Sequence, residues 1–130
     1  HMAQSQNTKV DYTDRATNLD GLTSGGNVML GDVAFEYYNE KNVEDYIQIP
    51  WDEVDYVSAS VIAKKTIPRF AIFVKDGRHF TFSTGDNKAC LRAIREHVPA
   101  ERLLRSPSFF QVVGAGAKGL WNNTVGRLGH

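Results

Sequence analysis

The sequence contains a single cysteine, Cys90, among its 130 residues, and this excludes an internal disulfide. It also has no uninterrupted apolar run near the roughly 18 residues that a membrane-spanning helix needs. No charged stretch followed by an apolar segment opens the chain, so we expect no secretory signal. A lone thiol fits a reducing compartment. These absences together predict a cytoplasmic protein.

Catalytic and metal-binding patterns are also missing. Adjacent acids such as Asp52 and Glu53 point to opposite faces of an extended chain and cannot form a catalytic pair. One cysteine and scattered histidines do not give the spacing of a zinc site. His79 and His97 have no neighbouring carboxylate or glycine-rich loop to orient a phosphate-accepting ring. We therefore predict that the protein is not an enzyme and has no catalytic, cofactor-binding or metal-binding residues.

The formal net charge of zero conceals a division of charge along the chain. Residues 1–55 carry eleven acidic and three basic residues, a net charge of −8. Residues 56–130 carry four acidic and twelve basic residues, a net charge of +8. Such asymmetry favours oriented docking on a charged partner. The alternative is that the two halves neutralise each other across the fold.

Strict alternation of apolar and polar residues dominates the first two thirds of the chain and predicts half-buried strands. The clearest runs lie in residues 46–51, 56–63 and 70–74, and weaker ones lie in residues 10–17, 27–30 and 34–39. Asp76-Gly77 predicts a hairpin turn into a further strand over residues 79–84. About seven antiparallel strands are therefore expected before any helix.

The period changes after Asp86, which is a suitable helix N-cap. Leu91, Ile94 and Val98 recur at helical spacing, and Pro99 is expected to end this amphipathic helix. Ser106-Pro107 predicts the start of a second, C-terminal helix, with the serine as cap and the proline in the first turn.

These elements predict an α+β, mainly β protein of one domain. The order of strands and helix is that of a pleckstrin-homology-like fold, a bent antiparallel barrel of about seven strands that an amphipathic helix caps. We expect residues 1–8 to be disordered and residues 9–99 to form the barrel and its capping helix. Residues 100–121 are expected to form a helical extension, and residues 122–130 a flexible tail.

Several separated blocks of the sequence resemble one known family. They are Gly31-Asp32, residues 35–39, residues 46–57, residues 67–72, residues 91–95 and residues 105–110. In this order they resemble the domain-of-unknown-function family nine-five-six, whose ManO-like members accompany mannose-family sugar phosphotransferase permeases. The resemblance extends from about Thr8 to Gly119.

The resemblance implies a non-enzymatic accessory or regulatory role in mannose-family sugar uptake, with permease components as partners and no nucleic acid. Such a protein would lie at the inner face of the membrane only through its partner. A peripheral lipid-binding or membrane-binding module is the alternative function.

Two groups of residues are candidate binding sites. Arg102, Arg105, Ser106, Phe109 and Phe110 combine arginine with adjacent aromatic residues, the types enriched at protein interfaces. We interpret them as a docking surface for a permease component or for another copy of the chain. Packing of the last helix against the barrel is the alternative.

The second group, Lys64, Lys65 and Arg69, would form a basic opening of the barrel for lipid. Its alternative is an ordinary solvated loop.

Overall fold

The computed structural model describes residues 4–20, 24–63 and 65–107. Within these ranges the chain forms eight β-strands and one α-helix. The strands are β1 (Val10–Asn18), β2 (Ser24–Gly31), β3 (Ala34–Asn39), β4 (Tyr46–Pro50), β5 (Val54–Ile62), β6 (Thr66–Val74), β7 (His79–Thr84) and β8 (Leu103–Pro107). The helix α1 (Asn87–Ile94) lies between β7 and β8 in the chain. The predicted mainly β, α+β fold, in which seven strands precede a helix, is confirmed.

The eight strands form one sheet in the order β4-β3-β2-β1-β7-β6-β5-β8. Neighbouring strands are antiparallel, except that β8 runs parallel to β5. The predicted hairpin between β6 and β7 is confirmed, and Gly77 in its turn adopts a φ of 98°. A positive φ of this kind is accessible to glycine without steric cost.

The sheet curls back on itself around a core of aromatic rings. In a flat sheet β3 and β6, which are four steps apart in the strand order, would be separated by about 19 Å. The ring centroids of Phe35 on β3 and Phe70 on β6 are nevertheless only 6.4 Å apart. The ring of Phe82 on β7 lies 5.1 Å from Phe35 and 6.2 Å from Phe70. These distances show that the sheet is bent, as predicted.

Helix α1 begins where the sequence predicts but ends earlier. The side chain of Asp86 accepts a hydrogen bond from the backbone N–H of Ala89 at 3.0 Å, which confirms the predicted N-cap. The helix ends at Ile94 rather than before Pro99. The backbone then tightens into a turn in which the N–H of Val98 donates to the carbonyl of Ile94, and this turn buries Val98.

The predicted start of a second helix is wrong at Ser106 and Pro107, because these are the last two residues of β8. The backbone of Leu103–Pro107 pairs in parallel with residues 57–61 of β5, and Leu103 packs against the core. Backbone pairing with the edge of β5 outweighs the local tendency of Ser106-Pro107 to start a helix. A proline is tolerated at the end of an edge strand such as β8. The rest of the predicted extension lies outside the described residues.

Residues 4–9 form a strap across β3. Glu36, which lies on the opposite face of β3 from Phe35 and Tyr37, is fully buried beneath the strap. Its carboxylate accepts hydrogen bonds from the Ser5 hydroxyl and the Gln6 N–H, both at 2.6 Å, and from the Asn7 side chain at 3.3 Å. Side chains alternate between the two faces of β3 as predicted, but the core covers one face and the strap covers Glu36 on the other.

We expect Asn7→Ala to lower the free energy of unfolding by about 2 kcal/mol. The Asn7 side chain accepts hydrogen bonds from the N–H groups of Val33 and Ala34 at 2.8 and 2.7 Å, and donates to the Ala34 carbonyl at 3.1 Å. Its removal leaves these backbone groups without their partner. Urea denaturation measures the loss, with Gln6→Ala as the control because that side chain is exposed. Equal losses in the two variants would show that the strap does not stabilise β3.

Candidate functional site

One face of helix α1 is basic. Lys88, Leu91, Arg92 and Arg95 follow the spacing i, i+3, i+4 and i+7, and residues with this spacing lie on the same side of a helix. The three charged side chains are exposed and Leu91 is half-buried. The face that includes Ile94 is buried against the sheet, so the basic row lies beside the core and is open to solvent.

Side-chain hydrogen bonds fix this helix to the sheet. Asn87, the first residue of α1, accepts hydrogen bonds from the N–H and hydroxyl of Thr84 at 2.7 and 2.8 Å. Its amide nitrogen donates to the carbonyl of Ile67 on β6 at 2.7 Å. Asp14 on β1 accepts from the N–H of Asp86 at 2.8 Å. The basic row of α1 is therefore held in a fixed position relative to β6 and β7.

A cleft of about 350 Å³ lies between this face of the helix and the strands beside it. Seven residues line it: Lys65, Ile67, Lys88, Leu91, Arg92, Arg95 and Arg105. Lys65 comes from the turn between β5 and β6, and Arg105 comes from β8. Ile67 and Leu91, which are half-buried and packed against the core, supply the apolar part of the lining. We call this site the basic cleft.

The positive charge of the basic cleft is not compensated by nearby acids within residues 4–20, 24–63 and 65–107. Its described lining includes five basic side chains and no acidic one. None of the five has a carboxylate oxygen within 4.0 Å, again among the residues that the structure describes. Elsewhere Arg15 pairs with Glu40 at 3.0 Å, and Arg78 pairs with Asp76 at 2.8 Å. A concave surface with one sign of charge concentrates counter-ions and attracts anionic groups.

The structure brings together residues that the sequence assigned to two different sites. Arg105, predicted to bind a protein partner, and Lys65, predicted to bind lipid, both line the basic cleft. Arg102 lies elsewhere and donates hydrogen bonds of 3.4 Å to the carbonyls of Val54 and Asp55 at the start of β5.

Of the remaining predicted residues, the structure describes Arg69 and the backbone of Ser106. Arg69 is exposed on β6, opposite Ser60 on β5. The backbone of Ser106 also pairs with Ser60, on the other side of β5. Lys64, Phe109 and Phe110 lie outside the described residues.

Sequence reasoning missed the helical half of the cleft. Lys88, Arg92 and Arg95 were visible as the polar side of an amphipathic helix, which is normally a solvated face. Their i, i+4, i+7 spacing was the available signal. What the sequence could not show is that Lys65 and Arg105 face this row, because both positions depend on long-range strand pairing.

The two internal histidines pack against aromatic rings. The ring of His97 stacks on Trp51 with a centroid distance of 4.5 Å and an interplanar angle of 6°. Its Nε2 lies 3.8 Å from an Asp11 carboxylate oxygen, so the prediction that no carboxylate neighbours this ring is wrong for His97. His79 stacks on Phe73 at 5.2 Å. Both rings are therefore part of surface packing.

The pKa values that rise most belong to two groups, Cys90 and Tyr12. Burial raises the pKa of the Cys90 thiol to about 12, with a smaller contribution from the negative charges of Asp14 and Asp86. Burial also raises the pKa of Tyr12 to about 12, and the neighbouring Asp14 adds to the effect. Because the thiolate is the reactive form, Cys90 is expected to be inert in the folded protein.

We expect the folded protein to lose stability as the pH rises from about 9 to about 12. The unfolded chain releases the protons of Cys90 and Tyr12 near their ordinary pKa values of 9.0 and 10.0, whereas the folded chain keeps them until about 12. The folded state then binds more protons, so its stability falls with rising pH. The midpoint of thermal unfolding at pH 8 and pH 11 measures this fall. A Cys90→Ala variant should show a smaller fall, and an equal fall would contradict the assignment to Cys90.

None of the helices in the described part of the chain has the length and apolar character needed to cross a membrane. No group of three or more histidine, cysteine, aspartate or glutamate side chains in these ranges is placed to hold a metal ion.

Comparisons with known proteins give a family and a fold. The model of a family described as "Domain of unknown function (DUF956)" matches residues 2–116. No curated protein matches the chain. The C-terminal domain of an unknown protein from Leishmania infantum is similar in structure, with a TM-score of 0.62 and 8% identity over 68% of this chain and 83% of that one. Inner Membrane Complex Sub-compartment Protein 3 (ISP3) from Toxoplasma gondii aligns with a TM-score of 0.42 and 15% identity, over 68% of this chain and 76% of that one. At these identities the likeness concerns the fold alone.

Proposed function

The chain belongs to the family of domains of unknown function DUF956, and from this premise we propose that it is a non-enzymatic accessory module that docks on an acidic surface of a partner protein. The basic cleft is the observation that carries the proposal. Its five basic side chains have no acidic counterpart among the described residues, and a ligand of opposite charge would supply one.

The proposed partner is a component of a mannose-family sugar phosphotransferase system. This part of the proposal depends on the resemblance of the sequence to ManO-like proteins, which are typically encoded beside such permeases. In this role the protein would be cytoplasmic and would reach the inner face of the membrane through the permease. A pleckstrin-homology-like architecture accords with this role, and the curled sheet followed by one helix supports it.

Peripheral membrane binding is the second candidate function. Lys65, which the sequence assigned to a lipid site, is joined in the basic cleft by four further basic side chains. Clusters of four or more basic residues on one surface are attracted to anionic lipid. The same cleft thus supports both candidates, and an experiment has to separate them.

A pull-down tests the proposal. The full chain is immobilised and exposed to a native membrane extract that contains a mannose-type permease, and the retained proteins are identified by mass spectrometry. We expect permease components or soluble phosphocarriers to be retained by the unmodified chain and lost from an Arg92→Glu/Arg95→Glu variant. Retention of lipid alone favours the second candidate. Retention of the same proteins by the variant would contradict docking through the basic cleft.

A further inference from the structure

The charges of the basic cleft are spread along a line rather than gathered at a point. Lys88 on α1 and Arg95, which directly follows the last residue of α1, are seven residues apart, and this separates them by about 10 Å along the helix axis. Lys65 and Arg105 come from different strands and add charge to the lining from outside the helix. A single small anion could contact only part of this row. The arrangement instead fits a ligand that carries several negative groups along its length.

The apolar part of the lining restricts the ligand further. The side chains of Ile67 and Leu91 are half-buried, whereas the basic side chains around them are exposed. A planar membrane surface would meet the exposed basic side chains first. A narrow polypeptide segment can enter the cleft and place one apolar side chain against Ile67 and Leu91.

We infer that the basic cleft binds an extended segment of a partner protein in which acidic residues flank a hydrophobic residue; this inference rests on the proposed function. In an extended segment successive side chains point to opposite sides. Every second side chain therefore lies on the same side, at a spacing of about 6.6 Å. Acidic residues in such a segment can therefore reach the helix and the strands of the cleft together. The axial distance between Lys88 and Arg92 is about 6 Å, close to this repeat.

The types of basic residue also fit carboxylates. Three of the five are arginines, Arg92, Arg95 and Arg105. The planar guanidinium group can donate two parallel hydrogen bonds to one carboxylate, which gives direction as well as charge. The hydrophobic residue of the segment supplies affinity that salt does not screen.

Fluorescence anisotropy with a defined probe tests the inference. The probe is a short fluorescein-labelled peptide in which a central leucine is flanked by alternating glutamates and aspartates. We expect saturable binding that weakens about tenfold when the leucine of the probe is replaced by serine. We expect a loss of similar size for an Arg92→Gln variant of the protein and no change for Arg69→Gln, which removes an exposed charge outside the cleft.

Several results would overturn the inference. Equal affinity for the leucine and serine probes would show that the apolar floor is not used. Equal losses for Arg92→Gln and Arg69→Gln would show that the binding depends only on overall charge. Binding to phosphatidylserine vesicles without binding to the probe would show that the ligand is a membrane surface.

The two proposals can fail separately. If Arg92→Glu/Arg95→Glu abolishes the pull-down but the probe does not bind, the inference about an extended segment is wrong and the proposed function stands. If the probe binds as expected but the extract yields no phosphotransferase component, the inference is supported and the proposed partner is wrong. Salt-dependent self-association of the chain, lost in Arg92→Gln, would identify a second copy as the occupant and overturn the inference.

Discussion

Phe82→Ala is expected to lower the free energy of unfolding by about 4 kcal/mol. The Phe82 ring is fully buried and lies 5.1 Å from Phe35, 5.6 Å from Tyr37 and 6.2 Å from Phe70. It therefore contacts β3 and β6, which are four steps apart in the strand order. The substitution leaves a cavity at the point where β3 and β6 meet across the core. Urea denaturation followed by circular dichroism measures the loss.

Phe73→Ala is the matched control for this prediction. Phe73 lies on the same hairpin and stacks on Tyr56 at 4.5 Å, but it is only half-buried. The same chemical change there should cost about half as much, because less apolar surface returns to water. Equal losses at the two positions would contradict the view that the ring of Phe82 joins the two halves of the sheet.

Arg92→Glu/Arg95→Glu is expected to weaken binding to the acidic partner about 100-fold. The two substitutions reverse the charge of two of the five basic side chains in the cleft and place carboxylates where the ligand presents its own. Both positions are exposed, so the fold should be kept, with only a small loss from acidic residues near the C-terminal end of α1. Surface plasmon resonance with the partner that the pull-down identifies measures the affinity.

An equally charged control separates the cleft from overall charge. Arg69→Glu/Lys75→Glu makes the same change in net charge at exposed positions outside the cleft. We expect this variant to bind within about threefold of the unmodified chain, because neither Arg69 nor Lys75 lines the cleft. If both double variants lose affinity to the same extent, the cleft has no special role in binding.

Local patterns in the sequence were sufficient for most of the sheet. Alternation predicted the seven strands before the helix, and Asp86 and Gly77 marked the helix start and one hairpin because cap and turn chemistry are local. The helix end was misplaced because Val98 keeps the apolar spacing of the helix while its backbone is already in a turn.

Long-range contacts explain the errors. The pairing of β8 with β5 overrode the helix signal at Ser106, and nothing near Ser106 in the sequence reveals that the edge of β5 is open. The strap of residues 4–9 was missed because its partner, Glu36, is about 30 residues away. A glutamate on a strand normally faces water, and only the strap makes its burial possible.

The candidate site was half predicted for the same reason. Lys65 and Arg105 were singled out, but for different ligands, since 40 positions separate them in the sequence. The basic row on α1 was not singled out as a site. Only the fold shows that a turn, a helix and an edge strand bring these charges to one cleft.

Site-specific photo-crosslinking in cells tests the central claim most directly. A photoreactive amino acid is placed at the position of Lys88, inside the cleft, or at that of Arg69, outside it. The account predicts that irradiation joins the Lys88-substituted chain to a component of the phosphotransferase system, through a peptide rich in acidic residues, and that the Arg69-substituted chain gives no such product. The same product from both positions, or from the Arg69 position alone, would contradict it.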